Sequence, residues 1–400
     1  MFLKLKNIFF AFFMIIATFI GWNTYLYFFD STLPELKLNG LEHDNYYCGD
    51  VQCLVASNKS GSITIWLDGQ TLIMGYKMGG GEQEQPFVIP TKTLTNGKHN
   101  FKAEFVDRSY KKNKINFERT FNVDNLPLQA AFVKADTDNK VFQGRTFHVQ
   151  FQTNKEVRNA TIKTLSSAYN CYPESKDSLI YESFIPISCE ENANEYLFTV
   201  EIQDRVGNSL NLDNKFQVVP FPFKKQTVTL TDEKLQEEKD IAGEEVEAKF
   251  NAMVAEITKN SPQEKLWHGA FCAPIDIARV TCDFGTVRST QHKGRYAHKA
   301  LDVINAPKSV VWATQDGVVA FKGRWEAGGN TVIIDHGCGV LSMFYHLDNF
   351  SNINVGEKIA MGNPVGTIGK TGWSTGYHLH WEQRVNNIPV DPMQWTKSTF

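Results

Sequence analysis

Apolar and polar positions alternate along much of the chain between residues 33 and 222. Examples are the segments Ser62–Leu67 and Phe147–Gln152, and Gly, Asn, Asp and Pro separate such segments. A period of two is the pattern of strands that bury one face. Short strands of this kind with turn residues between them are typical of antiparallel sandwiches. The region is therefore predicted to be β-sandwich structure.

One pattern within this region occurs twice. Phe101-Lys-Ala-Glu-Phe-Val-Asp-Arg108 aligns with Phe198-Thr-Val-Glu-Ile-Gln-Asp-Arg205 at an offset of 97 residues, which is 205 minus 108. An offset near 100 residues is the size of one immunoglobulin-like sandwich. Two Ig-like modules are therefore predicted, at residues 31–125 and 126–224. Spacing and presentation are their favoured role, because no residue pattern in them indicates sugar or peptide binding.

The first thirty residues follow a different pattern. Lys4 and Lys6 precede an uncharged apolar run from Ile8 to Phe29, which ends at Asp30. About 20 apolar residues span a bilayer as a helix, and no clear small-x-small cleavage site precedes Asp30. Residues 1–30 are therefore predicted to be an uncleaved transmembrane signal anchor. The positive-inside tendency places the N-terminus in the cytoplasm and the rest on the periplasmic or cell-wall side.

A charged stretch follows the second predicted module. Its apolar residues fall at i, i+4, i+7, i+8 and i+11, which is one stripe of an amphipathic helix: Val246, Phe250, Met253, Val254 and Ile257. Ser261-Pro262 ends the pattern. A helical linker at residues 231–262, packed on the region that follows, is the favoured interpretation. A lid or partner-docking helix is the alternative.

Composition limits the classes of function. A chain of 400 residues with 42% hydrophobic residues is long enough for two to four domains with cores of their own. The net charge of -3 gives no electrostatic case for binding nucleic acid.

The seven cysteines suggest an oxidising compartment. Six of them form pairs that are close in sequence: Cys48 with Cys53, Cys171 with Cys189, and Cys272 with Cys282. Proximity suggests disulfides without fixing their connectivity. Cys338 is left over, and its pairing with Cys272 or Cys282 is an alternative.

Four of the ten histidines lie in three short motifs near the C-terminus: His298, His346, His378 and His380. His298 and Asp302 are four residues apart and share a face in a helix or a strand. His378 and His380 are two apart in an aromatic segment, and they share a face in a strand. Two imidazoles and one carboxylate are the ligand set of catalytic zinc, which keeps a fourth position open. A cysteine ligand would indicate a closed structural site, and these motifs contain no cysteine.

These motifs resemble the lysostaphin-type (LytM-domain) zinc endopeptidases, which cleave peptide cross-links of bacterial peptidoglycan. The resemblance also includes the Phe344-Tyr-His-Leu347 motif and the glycine-rich run from Gly366 to Gly376. It covers about the last third of the chain, so residues 263–400 are predicted to be the zinc peptidase domain. The segment from Cys272 to Arg288 resembles the part of that family that precedes its first zinc ligand.

The resemblance implies a role for each site residue. The implied zinc ligands are His298, Asp302 and His380. His346 and His378 are implied to position or deprotonate the attacking water and to stabilise the oxyanion. One departure is Ala300, where a glycine is usual two residues before the aspartate; it adds a methyl group and leaves the ligands intact.

The sequence around these residues predicts a β-fold. Strand patterns alternate with glycine turns as far as Trp395, which predicts a compact antiparallel β-fold with the site in a groove. The loop from Thr371 to Tyr377 is expected to form one groove wall. Its proposed substrate contacts are Ser374, Thr375, Gly376 and Tyr377. His336 follows an apolar strand and is assigned a structural role.

The resulting prediction is a mainly β, membrane-anchored zinc metalloendopeptidase that hydrolyses peptidoglycan cross-links with a metal-activated water. Its implied partners are peptidoglycan peptides and the cell membrane, with the linker helix or the Ig-like modules as candidate surfaces for a protein partner. The alternative is a non-catalytic LytM-type module that activates a cell-wall amidase. Such regulators typically lack one or more ligands, whereas all five site residues are present here. A protease that acts on glycine-rich proteins is a third, weaker hypothesis.

Overall fold

The computed structural model describes residues 2–133, 139–227, 236, 244–290 and 294–400. It is mainly β, as the alternating pattern predicts. Of the predicted linker at 231–262, residues 231–235 and 237–243 lie outside the described residues. The chain divides into two compact units. One contains residues 1–127 and 205–207, and the other contains residues 128–204 and 208–400.

The N-terminal run forms a single helix, α1 (Phe2–Phe29). Its segment Phe9–Phe29 is long and apolar enough to cross a membrane, and none of it is buried inside the structure. This property depends on length and composition alone, and signal sequences near an N-terminus share it.

The first unit contains two sheets that enclose an apolar core, which includes the fully buried rings of Phe101, Phe105 and Phe121. The strand orders are β1-β3-β6 and β2-β8-β7-β4-β5. A 3₁₀ turn at Thr91–Thr93 follows β6. The strands are β1 (Leu36–Asn39), β2 (Tyr46–Tyr47), β3 (Val51–Ser57), β4 (Gly61–Leu67), β5 (Gln70–Met78), β6 (Gln85–Ile89), β7 (Gly97–Asp107) and β8 (Lys114–Val123).

The second unit begins with another pair of sheets around a core of its own. The strand orders are β14-β15-β11-β9 and β10-β17-β16-β12-β13. The strands are β9 (Ala130–Phe132), β10 (Lys140–Phe142), β11 (Thr146–Thr153), β12 (Val157–Thr164), β13 (Ser167–Asn170), β14 (Tyr172–Pro173), β15 (Ile180–Pro186), β16 (Glu195–Asp204) and β17 (Ser209–Val219).

The sequence repeat corresponds to a repeat in topology. Its two copies lie in β7 and β16, the central strands of the two five-stranded sheets. In each sheet the strand that follows the repeat strand in sequence, β8 or β17, pairs with it in antiparallel fashion. A short strand at the edge of the sheet, β2 or β10, then pairs with β8 or β17 in parallel. The Ig-like assignment and the limits 31–125 and 126–224 stay predictions.

The rest of the second unit contains a large antiparallel sheet with the path β19-β22-β29-β26-β25-β24-β27, joined by β23, β28 and β30. A small sheet has the order β18-β20-β21. The elements are β18 (Lys225–Thr227), α2 (Glu244–Lys259), β19 (Arg279–Cys282), β20 (Val287–Thr290), β21 (Gly294–Ala297), β22 (Leu301–Ile304), β23 (Val310–Trp312), β24 (Gly317–Trp325), β25 (Gly329–Asp335), β26 (Val340–Phe350), β27 (Lys358–Ile359), β28 (Pro364–Ile368), β29 (Leu379–Val385), β30 (Ile388–Val390) and α3 (Pro392–Trp395). The predicted antiparallel β-fold is therefore present.

Helix α2 packs on one face of the large sheet, through the apolar stripe that the sequence predicts. Phe250 and Val254 are buried in a cluster with side chains of β25 and β26. The ring of Phe250 lies 5.1 Å from that of Trp325 and 5.9 Å from that of Tyr345, measured between centroids. These contacts agree with a packed connecting helix.

The pair of sheets formed by β9 to β17, which we call the second sandwich, shares a buried aromatic cluster with the large sheet within the second unit. Phe184 of β15 packs against Trp267 and Trp395, with centroids 5.3 and 5.9 Å away. Beside this cluster, the buried carboxylate of Glu182 accepts hydrogen bonds from His148 and Lys265. Burial of aromatic rings on this scale is typical of a stable interface, so the sandwich is an integral support of the large sheet.

The disulfides suggested by the sequence are wrong for this structure, because all seven cysteines are free. Cys48 is exposed in a turn whereas Cys53 lies in the core of the first unit, so the two side chains occupy different environments. Cys272 contacts the carbonyl of Ala313, and Cys282 faces the predicted metal site. Closeness in sequence therefore joins none of the three predicted pairs, and Cys171 and Cys189 are likewise free.

His336 has the structural role expected from its position after β25. The ring is fully buried, and its Nδ1 lies 2.7 Å from the carbonyl oxygen of Asp316. Its Nε2 lies 2.9 Å from the hydroxyl of Ser342. Because a carbonyl only accepts, Nδ1 carries the proton of the neutral ring and Nε2 accepts. Burial lowers the pKa of His336 from 6.5 to about 4.

This buried ring predicts a pH-dependent loss of stability. The unfolded chain binds the proton near pH 6.5 and the folded chain only near pH 4, so the contribution is complete above pH 6.5 and is lost as pH falls towards 4. The loss amounts to roughly 3 kcal/mol. We expect His336→Gln, which keeps a donor and an acceptor, to flatten the pH dependence of unfolding. Thermal unfolding of both proteins between pH 4 and 7 measures this, and parallel curves would contradict it.

Candidate metal centre

The site is built on a row of side chains that crosses four neighbouring strands. Asp302 of β22 stands directly opposite Cys282 of β19 and His380 of β29. His380 in turn stands opposite Tyr345 of β26. Directly opposed residues project from the same face of a sheet, with their Cβ atoms about 4.5–5.5 Å apart. The register therefore places the four side chains side by side.

Alternation along each strand keeps this row out of the core. Leu301 and Val303 flank Asp302 and point into the apolar core of the large sheet, as do Leu379 and Trp381 on either side of His380. A period of two sends the intervening residues to the opposite face. The buried neighbours thereby fix the direction of both predicted ligands.

The three predicted ligands converge on one point. His380 Nδ1 lies 2.8 Å from Asp302 Oδ1, and His298 Nε2 lies 3.2 Å from the same oxygen. The two nitrogens are 3.3 Å apart. Donor atoms bound tetrahedrally at zinc–ligand distances near 2 Å are separated by about 3.3 Å. The observed triangle of donor atoms therefore fits a metal of this kind.

His298 reaches this point from a loop between β21 and β22, not from a regular helix or strand. Two backbone hydrogen bonds hold the loop: His298 N donates to Thr286 O at 2.9 Å, and Gly285 N donates to His298 O at 2.7 Å. The side chain is buried, and its Nδ1 has no hydrogen-bond partner among the described residues. Ala300 is fully buried nearby, so the fold accommodates its methyl group.

Asp302 carries its negative charge in this buried setting. Burial opposes ionisation, but hydrogen bonds with His298 and His380 outweigh it and hold the pKa of Asp302 well below its usual range. Its second oxygen, Oδ2, lies 3.2 Å from a guanidinium nitrogen of Arg288. Arg288 thus fixes one oxygen and leaves Oδ1 to the converging histidines.

His346 reaches the site through an unusual backbone conformation. Its φ of 60° lies in the left-handed region, which non-glycine residues rarely adopt. Regular alternation would direct it away from the face that holds Tyr345, yet its ring lies 4.7 Å from that of His378, between centroids. Strained residues of this type cluster at functional sites.

His378, like His346, is a site histidine that is not a predicted ligand. It immediately precedes β29. His378 forms an isolated antiparallel bridge with Gly369, so the regular strand that holds His380 begins one residue after it. Its Nε2 still lies 3.8 Å from Asp302 Oδ1. The two histidines converge on the same space from different local structures.

Both of these histidines are poised as neutral bases. Burial, together with the neighbouring His378 and His380, lowers the pKa of His346 from 6.5 to about 3. Burial also lowers the pKa of His378. His346 Nδ1 lies 2.8 Å from the carbonyl of Thr371, and His378 Nδ1 lies 3.0 Å from the carbonyl of Gly376. Each Nδ1 therefore donates, and each Nε2 is left unprotonated.

In the loop predicted to line the groove, some residues make contacts within the site and others are open to solvent. Ser374 Oγ lies 2.7 Å from the carbonyl of Gly376 and 3.1 Å from His378 Nδ1, so it helps to orient that ring. Thr375 is exposed, and a Cβ added at Gly376 would meet nothing within 4 Å. Tyr377 lies beneath the Lys370 ammonium, which is 5.4 Å from its ring centroid. The open part of the loop is therefore at Thr375 and Gly376.

A second glycine of this loop is needed for packing. Gly372 has a φ of 74°, and a Cβ there would lie 2.3 Å from the backbone nitrogen of Gly329. No side chain fits in that space. Gly372 thus holds the loop against β25.

Three side chains beside the predicted ligands are not indicated by the sequence motifs. Cys282 and Arg288 lie outside the histidine motifs and reach Asp302 through strand pairing and a long side chain. Tyr345 packs edge-on against His380, with centroids 5.0 Å apart, and its hydroxyl donates to Glu382 at 2.9 Å. The signal for Tyr345 was its place beside His346, but only the register shows that it faces a ligand.

Comparison with known proteins agrees with the resemblance seen in the motifs. The model of peptidase family M23 matches residues 296–392, which include all five predicted site residues. The DD-carboxypeptidase/endopeptidase Mpg of Neisseria meningitidis is 37% identical over 121 residues, or 30% of this chain and 27% of that protein. The peptidoglycan DD-endopeptidase ShyC of Vibrio cholerae is 34% identical over 121 residues, or 30% of this chain and 28% of that protein.

Among solved structures, a putative peptidase M23 from Pseudomonas aeruginosa has a TM-score of 0.45 and 21% identity, and covers 64% of this chain and 94% of that one. The chain spans little more than a quarter of the length of the relatives it matches in sequence. The similarity to those relatives therefore concerns the C-terminal part.

The contact between Arg288 and Asp302 predicts a supporting role in metal binding. Loss of such an outer partner typically weakens metal binding about 10- to 100-fold. We expect Arg288→Gln to show this loss when metal-free protein is titrated with Zn²⁺ against a competing chelator. Arg279→Gln, at an exposed position of β19, is the matched control and should bind as the unaltered protein does. Equal affinities for both variants would contradict the role.

Proposed function

Because residues 296–392 form a domain of peptidase family M23, we propose that this chain is a zinc metalloendopeptidase that hydrolyses peptide cross-links of bacterial peptidoglycan. The observation that carries the proposal is the triangle of His298 Nε2, Asp302 Oδ1 and His380 Nδ1, with sides of 2.8–3.3 Å. Zinc held there would supply Lewis acidity towards water and towards the scissile carbonyl.

His346 and His378 would accept and hold the proton of the attacking water. His346 and His378 are neutral, with Nδ1 of each tied to a backbone carbonyl, so Nε2 of either ring can accept the proton of an attacking water. The resulting imidazolium can then donate a hydrogen bond to the oxyanion of the tetrahedral intermediate. Hydrogen bonds at Nδ1 keep both rings in the required orientation throughout.

The substrate class is proposed from the relatives. Mpg is named a DD-carboxypeptidase/endopeptidase and ShyC a peptidoglycan DD-endopeptidase. In this chain the open positions Thr375 and Gly376 precede His378 with one residue between, so an extended peptide bound there would run beside the two neutral histidines. We therefore propose peptide cross-links of the wall as the substrate.

This proposal is tested by hydrolysis of purified peptidoglycan. We expect residues 31–400 with zinc to release uncross-linked peptides, identified by mass spectrometry, and a chelator to stop the release. His378→Ala should lower the rate by about 10²-fold or more, because it removes a general base. His268→Ala, which alters an exposed histidine, should leave the rate unchanged.

An intact wall in the presence of protein that holds zinc stoichiometrically would contradict the enzyme. It would support the amidase-activator hypothesis instead, which addition of a wall amidase to the same assay tests directly.

The N-terminal helix bears on where the chain is located. Helix α1 has an exposed apolar segment long enough to cross a bilayer, and Lys4 and Lys6 at its start favour a cytoplasmic N-terminus. We propose that it anchors the chain in the membrane, with the site on the periplasmic or cell-wall side.

Fractionation of cells checks the anchor. The full chain should remain with membranes after a high-salt wash, because apolar burial is insensitive to salt screening. A secreted chain that starts at Ser31 should be soluble. Release of the full chain by salt, or cleavage near residue 30 on export, would contradict an uncleaved anchor.

A further inference from the structure

The end of helix α1 is attached to the first unit by polar contacts. The backbone nitrogen of Tyr110 donates to the carbonyl of Tyr27 at 2.7 Å. Asp30, the residue after the helix, forms an ion pair with Lys59 at 2.8 Å, and its carbonyl accepts from the side chain of Asn113 at 3.2 Å. The helix therefore ends against the loop that joins β7 to β8.

The ion pair at this junction is partly shielded from water. The side chains of Lys59 and Asp30 are 18% and 17% exposed, and the Lys59 ammonium also lies 3.4 Å from the buried carboxylate of Asp107. The hydrogen bond from Lys59 is the main cause that lowers the pKa of Asp30 to about 2. Two carboxylates thus neutralise Lys59, which contributes no free positive charge to the junction.

The ring of Tyr110 packs on the last turn of the helix and still faces outward. Its centroid lies 5.7 Å from that of Phe28 and 6.4 Å from that of Tyr27, yet the side chain is 66% exposed. Tyrosine rings concentrate at the level of lipid headgroups, because one end of the ring is apolar and the other is polar. Tyr27 and Tyr110 therefore mark the level at which an anchored helix would leave the bilayer.

The same loop carries positive charge that is not neutralised. Arg108, Lys111 and Lys112 are exposed, and none of them forms an ion pair with another residue that the structure describes. Lys114, which follows in β8, differs because Glu104 lies 3.5 Å from its ammonium. Three free cations therefore flank the exposed ring in the chain.

The conformation of the loop is fixed from inside the unit. Asp107 Oδ1 accepts from the backbone nitrogens of Ser109 and Asn113, at 3.0 and 3.1 Å. The backbone nitrogen of Lys112 donates to the carbonyl of Ser109 at 3.1 Å and closes the turn. The basic side chains are thus presented by a preformed turn, which lowers the entropic cost of binding a ligand.

We propose that the loop from Arg108 to Lys112 lies on the membrane surface and binds anionic phospholipid headgroups of the leaflet from which α1 emerges. This inference rests on the anchoring role proposed for α1. Three cations alone would bind an anionic membrane weakly, but the helix holds them beside the headgroups and so raises their effective concentration. Contacts at two places, helix and loop, would fix the orientation of the first unit.

The basic loop is compatible with export. Basic residues resist translocation mainly within about 20 residues of a span. Lys111 lies 82 residues beyond Phe29, which is 111 minus 29. Its charge is therefore remote from the span in sequence and adjacent to it only in the folded unit.

Lysine acetylation tests the contact within a single molecule. The full chain is reconstituted in phosphatidylcholine vesicles with and without phosphatidylglycerol, and a membrane-impermeant reagent acetylates the lysines. We expect Lys111 and Lys112 to react roughly fivefold more slowly on the anionic vesicles, because phosphate shields an ammonium and keeps it protonated. High salt should remove the difference. Lys92 and Lys98, exposed near the opposite end of β7, should react equally on both vesicles.

A charge variant identifies the loop as the cause. Arg108→Gln removes one of the three cations and leaves both lysines as reporters, so it should reduce their protection on anionic vesicles. Lys92→Gln removes one charge at the opposite end of β7 and should leave that protection unchanged. Equal effects of the two variants would overturn the proposal, because the attraction would then follow from net charge alone.

The remaining outcomes separate this inference from the proposed anchor. Equal acetylation of Lys111 and Lys112 on both kinds of vesicle overturns the headgroup contact, whereas the anchor stands if the chain stays with the vesicles after a high-salt wash. Slow acetylation that persists on phosphatidylcholine alone overturns the role of anionic lipid. A chain that the salt wash removes from the vesicles overturns the anchor itself.

Discussion

The pairing register of β22 is the constraint on which the site depends. Asp302 belongs to the site because the pairing of β22 with β19 and β29 places Cys282 and His380 directly beside it. Since side chains alternate with a period of two, a slip of one residue would send Asp302 into the core and bring Leu301 or Val303 to the site face. Burial of those two residues in the apolar core therefore enforces the register that the chemistry needs.

Support for the site comes from both sides of the large sheet. One face carries the main apolar core, and the other carries the ligand row together with the cluster under helix α2. Tyr345 links these two parts, because it touches Phe250 of the helix and His380 of the site. Its hydroxyl donates to Glu382, which Arg384 also contacts at 2.5 Å. The linker helix therefore stabilises the strand that carries a ligand.

The spacing of the motifs predicted much of this site. What the spacing could not predict has physical reasons. The five motif residues do converge, because short-range spacing along a strand or turn restricts where side chains point. Contacts made across strands were not predictable, so Cys282 was assigned to a disulfide and Arg288 to no role. The left-handed backbone of His346 was equally hidden, since a histidine in a strand pattern does not by itself indicate a positive φ. Sequence proximity of cysteines gave disulfides that the fold does not form.

The two ends of the row of side chains that contains Asp302 and His380 differ in how firmly they are held. Tyr345 lies inside the sheet and is fixed by its hydrogen bond to Glu382 and by the ring of Phe250. Cys282 lies on an edge strand next to a pairing irregularity, with a side chain that turns about one bond. The position of His380 is therefore fixed from the inner side of the sheet, where Tyr345 packs against its ring.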